Sequence, residues 1–435
     1  MAYLRNHPIE RANSESLLAR ARAVIPSATQ TFSKGPNQWV RGISPYFLDR
    51  GEGAWVWDAD GNKFLDYLMA LGPIVLGYND PAVTAAVRER LEKGPVFSQM
   101  HALEVEVAEK MVELIPCADM VRFGKNGSDA TAAAVRAARA FTRRERIACS
   151  GYHGWHDWHI GTTTRNAGVP VAVQRLTDTF PYNDLDALDA LFKKYPGEIG
   201  GVIMEAIGIE MPKPGYLEGV KELCHRNGAI LIFDEIINGF RIAFGGAQEY
   251  FGVTPDLACY GKAMANGLPL SATVGRRDVM EVFDEIFYSG TFGGDTLSLA
   301  ACKATIGRMQ NDDVLGHLAR YGAKLRKGIE ALIEQNDVGD ALKFVGLDAR
   351  AILVFPHADE LQNRARRSYF MQECHKRGLL FFGPHLITAA HGEKELEFTL
   401  DVYGEVIPLF AKALVANDFL KRMEGEIVEP IFRKP

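Results

Sequence analysis

The chain has 435 residues, 47% hydrophobic and 24% charged, with 42 glycines, so it is too long for one simple core and too apolar for a disordered, collagen-like or coiled-coil protein. Forty-nine Lys and Arg against 55 Asp and Glu leave a net charge of −6, which supplies no basic footprint for nucleic acid. The six cysteines form no C-x-x-C pair and no short disulfide framework, no apolar run approaches the ~18 residues of a membrane span, and Met1–Glu10 lacks a signal-type apolar core, so a cytoplasmic protein away from membranes is expected.

In chain order, Ser14–Ile25 places Leu17, Leu18, Ala21, Val24 and Ile25 at helical spacing and stops at Pro26, which predicts a helix. Thr29–Pro45 is polar and rich in Gly and Pro, a loop. Gly53–Leu68 reads as a hairpin turning at Asp58-Ala59-Asp60-Gly61-Asn62, and Pro81–Lys93 and His101–Leu114 as amphipathic helices. Next come a strand at Met120–Phe123, a polar loop at Gly124–Ser128 and an alanine-rich helix at Asp129–Arg143. A strand at Glu198–Glu205, a helix at Tyr216–Asn227 and a strand at Ala229–Asp234 continue the rhythm. Strands apolar on both faces alternating with helices predict an α/β fold, with a mostly parallel sheet covered by helices. The last hundred or so residues, with a helix at Leu315–Ile333 and a strand at Ala351–Phe355, read as a smaller α+β unit beginning at 315–325.

Three stretches read as lying where α/β proteins bind ligands, at the carboxyl ends of strands. In Gly124-Lys125-Asn126-Gly127-Ser128-Asp129, the free N–H groups of a helix start form an anion site, Gly127 permits close backbone approach and Ser128 adds a hydroxyl. The Walker spacing is missing, and a plain capped turn is the alternative. Asp234-Glu235 ends an apolar strand, where a carboxylate needs a cation or hydrogen-bond donors. An ion-pair network, a metal site or an acid facing a ring nitrogen would each suit. Lys262, in Tyr260–Pro269, has no acid within five positions on either side. A lysine in apolar surroundings deprotonates readily and can act as an imine-forming nucleophile, the alternative being a solvated surface lysine. His153, His156 and His159 recur at i, i+3 and i+6, but Gly154 interrupts any helix and the spacing leaves a common face. An aromatic lid or stacking segment is therefore expected ahead of a metal site.

Taken together and in order, the Trp57–Gly61 hairpin, GKNGSDA, Tyr152-His153-Gly154, LIFDEIINGFR (Leu231–Arg241), GKAMANGLP and Gly290-Thr291 resemble the class III aminotransferases of fold type I. These enzymes use pyridoxal phosphate (PLP), and the nearest likeness is to glutamate-1-semialdehyde aminomutase and its aminotransferase relatives. The resemblance implies an N-terminal segment (1–60) that contributes to a small domain, a large PLP-binding domain (61–318) and a C-terminal small domain (319–435). It implies that Lys262 holds PLP as an internal aldimine and that Asp234 binds the pyridinium nitrogen. Tyr152 and His153 fall at the cofactor, Tyr152 stacking on its ring, with Ile236 on the opposite face. Gly127 and Ser128 match the phosphate cradle, and Glu205 stands where the family has a Glu-Pro pair, here followed by Ala206. Thr291 matches a threonine that reaches the neighbouring subunit's phosphate, which implies a homodimer.

The implied activity is transfer of an amino group between a small-molecule donor and a keto or aldehyde acceptor. At three aminomutase positions the chain departs: Lys34 stands opposite a carboxylate-binding arginine, Leu71 opposite a tryptophan, and Thr388 near a glutamate. Lysine does not replace arginine where bidentate carboxylate recognition is needed. A less carboxylate-specific pocket follows, and with it an aminotransferase of a biosynthetic pathway, acting on a sugar or another carbonyl compound. The alternatives are an aminomutase or racemase on the same scaffold, or a non-catalytic PLP-binding regulatory protein.

Overall fold

Short runs of Ile, Val, Leu, Ala and Phe recur through the middle of the chain, each too short for a helix and each bounded by polar or glycine-containing loops. In the computed structural model, which describes residues 9–430, these runs and the polar edge strand Thr177–Thr179 form one seven-stranded sheet. Most of the Met1–Glu10 stretch discussed above lies outside the described residues. The strands are β1 (Met120–Gly124), β2 (Arg146–Ser150), β3 (Thr177–Thr179), β4 (Ile199–Met204), β5 (Ile230–Asp234), β6 (Leu257–Tyr260) and β7 (Ser271–Gly275). Their order across the sheet is β1-β7-β6-β5-β4-β2-β3. The pairs β2/β3, β2/β4, β4/β5 and β5/β6 are parallel, while β7 runs against both of its neighbours. The expected mostly parallel sheet is therefore present.

Every residue of β4, β5 and β6 is buried, as strands covered on both faces must be. One cover is α1 (Gly127–Thr142), whose Ala130, Ala134, Ala137 and Ala138 pack on Ile147, Cys149, Ile203, Ile230 and Ile232. Small side chains at this spacing let the helix lie close to the sheet, and a β-carbon at Gly201 would already sit 3.0 Å from that of Ala138. The helix begins two residues before the expected Asp129. Asp129 Oδ2 accepts the N–H groups of Asn126 (2.7 Å) and Lys125 (3.1 Å), which fixes Asn126 as the cap.

The chain divides into two units. The second, Gly72–Ile74 with Pro81–Leu315, holds the large sheet. Among the described residues, the first comprises 9–71, Val75–Asp80 and 316–430. It contains the predicted hairpin, whose strands Trp55–Asp58 and Lys63–Asp66 pair antiparallel and whose turn closes as Asp58 Oδ1 accepts the N–H groups of Asp60 (3.0 Å) and Asn62 (2.8 Å). A three-stranded antiparallel sheet (Lys343–Val345, Arg350–Val354, Pro384–Leu386) and the long helices Glu360–His375 and Glu393–Ala416 complete its α+β character. Met69, Ala70 and Leu71 are consecutive non-glycine residues at positive φ (48°, 56° and 75°), a left-handed turn that costs on the order of 1 kcal/mol per residue. Asp66 secures it by accepting the N–H groups of Leu68 (2.7 Å) and Met69 (3.2 Å) and the hydroxyl of Tyr78 (2.7 Å).

All six cysteines are free and buried, and burial pushes the Cys117, Cys149 and Cys302 thiols up to about 12, too high for a reactive thiolate. Among the described residues no helix is long and apolar enough to cross a membrane.

Candidate active site

Strands of one sense present their carboxyl ends along one edge of the sheet, and the segments leaving that edge carry the candidate residues. β1 leads into Gly127 and Ser128, β2 into Tyr152 and His153, β4 into Glu205, β5 ends on Asp234, and β6 leads into Lys262. Because β6, β5, β4 and β2 are consecutive neighbours, Lys262, Asp234, Glu205 and the Tyr152–His153 loop follow one another along the edge.

Asp234 and Glu235 have separate tasks, as successive side chains at a strand end point to opposite faces. Asp234 is 5% exposed; its Oδ2 lies 2.8 Å from His153 Nδ1, and its Oδ1 accepts the N–H of Ile236 at 3.1 Å. Glu235 is fully buried and accepts the N–H groups of Ala247 and Gln248, both at 2.8 Å, so it caps the short helix Ala247–Phe251. Glu235 is thus a structural acid, and Asp234 is the one left at the sheet edge.

The loop ahead of α1 is joined to this acid through packing and hydrogen bonds. The N–H groups of Gly127 and Ser128, the first two of the helix, donate to no acceptor among the described residues and lie where the helix dipole favours an anion. A β-carbon at Gly127 would stand 2.7 Å from Ile236 Cδ1, and one at Gly261 would stand 3.6 Å from Ile236 Cγ2, so Ile236 is packed between the helix start and the lysine loop. Ser128 Oγ accepts the N–H of Trp155 at 3.2 Å, and Thr131 Oγ1 donates to the His153 carbonyl at 2.7 Å. Gly154 closes against Ser128: at φ +105°, its β-carbon would lie 2.3 Å from Ser128 Oγ and 3.0 Å from Ser128 Cα. Gly154→Ala is therefore expected to cost roughly 2–4 kcal/mol and to displace Ser128. A lower melting temperature together with weaker anion binding would show it; an unchanged melting temperature would contradict the packing described.

Lys262 is partly buried and lies at φ +40°, in the left-handed region a non-glycine residue occupies at a cost. It opens the 3-10 turn Lys262–Ala265, which ends in Asn266 (φ +41°) and Gly267 (φ +103°). Lys125 ties this loop to the helix start, since its Nζ donates to Pro269 O (3.0 Å) and Ser298 Oγ (3.1 Å) and pairs with Asp295 (2.7 Å). Sequence reasoning passed over Lys125 because three partners between 144 and 173 residues away leave no local signal. Thr291 is exposed, on a surface loop with Phe287 (83% exposed) and Phe292 (59%).

Tyr152 is 54% exposed, leaving much of its ring open, and lies edge-on to His159 at 5.4 Å and 81°. His159 is 2% exposed, and neither of its ring nitrogens has a hydrogen-bond partner among the described residues. Burial, then the neighbouring His153, push it down to about 4, so it is a neutral imidazole at physiological pH. The histidine-rich segment thus packs as an aromatic cluster in which His153 faces Asp234, His159 supports Tyr152 and His153, and Trp155 is exposed.

Residues 37–398 match the family model "Aminotransferase class-III". A 3-aminobutyryl-CoA aminotransferase of Cloacimonas acidaminovorans is 36% identical over 415 residues, covering 93% of this chain and 98% of its own. A glutamate-1-semialdehyde 2,1-aminomutase of Roseiflexus castenholzii is 38% identical over 356 residues, covering 77% and 80%. Among solved structures, the FumI protein of Sphingopyxis sp. MTA144, in its PLP internal aldimine form, superposes with a TM-score of 0.86 at 29% identity, covering 95% of this chain and 98% of its own.

Proposed function

Because the chain belongs to the class-III aminotransferases and is a PLP-dependent enzyme of fold type I, we propose that the sheet edge carrying Gly127, Ser128, His153, Asp234 and Lys262 is its active site. The carrying observation is that one edge gathers the three kinds of group this cofactor requires. Two unspent N–H groups at a helix start suit its phosphate, a buried carboxylate suits its ring nitrogen, and a primary amine suits its aldehyde. The cradle is shaped for close approach, since side chains at Gly127 and Gly154 would fill it. The open ring of Tyr152 and the side chain of Ile236 supply apolar surface for the two faces of an aromatic ring, and Glu205 stands between them along the edge.

When bound, PLP supplies a carbonyl that links to amines and a ring that takes up the electron pair left by a departing proton. Lys262 Nζ would hold the cofactor through its aldehyde, and the same nitrogen would take the proton from the substrate carbon as general base and deliver it as general acid. The Asp234 carboxyl would face the ring nitrogen and favour its protonated form. The Gly127 and Ser128 amides anchor the phosphate and so hold the reacting atoms in register with Lys262.

The enzyme acts as a homodimer in which Thr291 reaches the neighbouring site. Supporting this, Phe97, Met100, Val105, Val112, Phe287 and Phe292 are exposed apolar side chains of the second unit. A groove of about 740 Å³ lies along Met100, Val105, Val112 and the loop Tyr288–Gly294. Such a surface is costly to leave in water. The double change Phe287→Asp and Phe292→Asp is expected to shift sedimentation from dimer to monomer and to lower activity with it. A wild-type protein that sediments as a monomer would refute this reading. Free buried thiols accord with a cytoplasmic setting.

The substrates proposed are a small amino donor and a carbonyl acceptor other than glutamate-1-semialdehyde. Leu71 lies in the left-handed turn, and the buried Thr388 hydroxyl is 2.9 Å from His391 Nδ1. The test is a screen of donors and acceptors read from the cofactor's absorption. A productive donor is expected to bleach the yellow protein, and a keto or aldehyde acceptor to restore it. Turnover of glutamate-1-semialdehyde without any added acceptor would instead establish an aminomutase.

A further inference from the structure

By its main chain Lys125 is part of the helix start, and by its side chain it belongs to the lysine loop. Its N–H donates to Asp129 Oδ2 at 3.1 Å within the cap of α1, just ahead of Gly127. Its ammonium has three hydrogens and meets three acceptors: Pro269 O at 3.0 Å, Asp295 Oδ2 at 2.7 Å and Ser298 Oγ at 3.1 Å. Ser298 can accept because its own hydrogen goes to Asp295 Oδ2 at 2.5 Å. The Lys125 side chain is 20% exposed and that of Asp295 14%, so each depends on the other for its charge. Pro269 lies where the loop opened by Lys262 returns to β7. Asp295 is itself a fixed point. It caps the helix Thr296–Asn311 by accepting the N–H groups of Leu297 and Ser298, both at 3.2 Å, and Pro95 O holds the Thr296 N–H at 2.9 Å. Burial alone would raise the Asp295 carboxyl, but the bonds from Lys125 and Ser298 hold it below the ordinary carboxylate range, so it is charged at neutral pH.

We propose that Lys125 is a positioning residue for amino transfer, which sets the register between the phosphate cradle and Lys262 by pinning the lysine loop to the helix start. PLP carries its phosphate arm and its aldehyde on adjacent carbons of one rigid ring, so the anchor and the amine must be spaced together. Strand pairing gives that spacing only at second hand, because β7 lies between β1 and β6. Ile236 fills the space between Gly127 and Gly261 but, as an apolar contact, gives no direction. The bond from Lys125 to the Pro269 carbonyl gives one. A lysine beside an anion cradle suggests a phosphate ligand, yet this ammonium has no hydrogen left to donate, and Asp295 already offsets its charge. Lys125 therefore acts through the loop. The register with PLP rests on the active-site reading above, whereas the tie between the two segments does not.

The test compares Lys125→Met with the double variant Lys125→Met and Asp295→Asn, in which both charges are gone and the net charge is unchanged. Cofactor-free protein is titrated with inorganic phosphate and, separately, with PLP. Inorganic phosphate needs only the cradle, so the double variant is expected to bind it within about twofold of wild type. PLP needs cradle and lysine in register, and its affinity is expected to fall about tenfold, as loss of one charge-assisted bond does. Amides of residues 262–270 should exchange hydrogen about tenfold faster in the cofactor-free double variant. Lys125→Met alone strands Asp295, so the double variant should melt higher than the single one, while kcat of the loaded enzyme stays low in both and KM moves little. Equal losses for phosphate and PLP would make Lys125 part of the cradle itself and overturn the proposal. Unchanged PLP affinity, or a kcat that recovers with the melting temperature, would overturn it too. Wild-type protein that bound PLP without using Lys262 would instead overturn the active-site reading, and the exchange result would still report the tie.

Discussion

Lys262→Ala is expected to lower transamination by at least about 10⁴-fold, on the order of 5.5 kcal/mol of barrier, while the protein stays folded and still binds PLP. One nitrogen serves as both the covalent anchor and the proton carrier, so truncation removes two functions at once. The fold should tolerate it: Lys262 is partly buried, alanine keeps a β-carbon at the same φ of +40°, and the turn to Ala265 and the glycine that follows are unchanged. A melting temperature within a few degrees of wild type, with the spectrum of free rather than lysine-linked cofactor, is the expected pair of observations. A variant that retains near wild-type turnover would sink the assignment of Lys262.

Asp234→Asn is expected to lower activity about 10²–10³-fold, the usual scale for a lost electrostatic partner in a water-excluded site. The amide keeps the shape and can still accept from the Ile236 N–H, so the packing at the end of β5 is preserved. What it loses is the charge that favours a protonated ring nitrogen. Asp234→Ala should be worse in a second way. It strips the partner from buried His153 and leaves the Ile236 N–H unpaired, for about 2–4 kcal/mol of stability. Steady-state kinetics beside thermal melts separate the effects, since Asp234→Asn should move mainly kcat and Asp234→Ala both kcat and Tm. Equal melting temperatures for the two variants would contradict the role of Asp234 as a buried hub.

Much of the site was legible because its residues sit at strand–loop junctions, and these have local signatures. Apolar runs such as AILIFD mark a buried strand, and the first polar residue after the run marks the sheet edge. The helix start at Asn126-Gly127-Ser128 was readable from Gly and a hydroxyl before an alanine run, and the structure moves the start from Asp129 to Gly127 and the end from Arg143 to Thr142. Lys125 and Arg241 were not legible. Lys125 meets Pro269, Asp295 and Ser298, and Arg241, 1% exposed, donates to the carbonyls of Gly72 (2.9 Å) and Ile74 (3.1 Å), about 170 residues earlier. A long-range hydrogen bond leaves no periodicity in a window of the chain, so neither residue could be distinguished from a surface cation.

By itself the amino-acid sequence determined the class of fold, three of the seven strands of its large sheet and the short list of residues able to carry chemistry. Those properties depend on local spacing and on side-chain chemistry, both present before the chain folds. Tertiary structure alone decided which residues on that list lie along one edge of the sheet. Strand pairing set β6, β5, β4 and β2 side by side, and so placed Lys262, Asp234, Glu205 and His153 along one edge. Strand alternation set Asp234 beside His153 and sent Glu235 to a helix start. Burial left His153 between Asp234 and the Ser150 carbonyl, partners that strand pairing chose and its place in the chain did not.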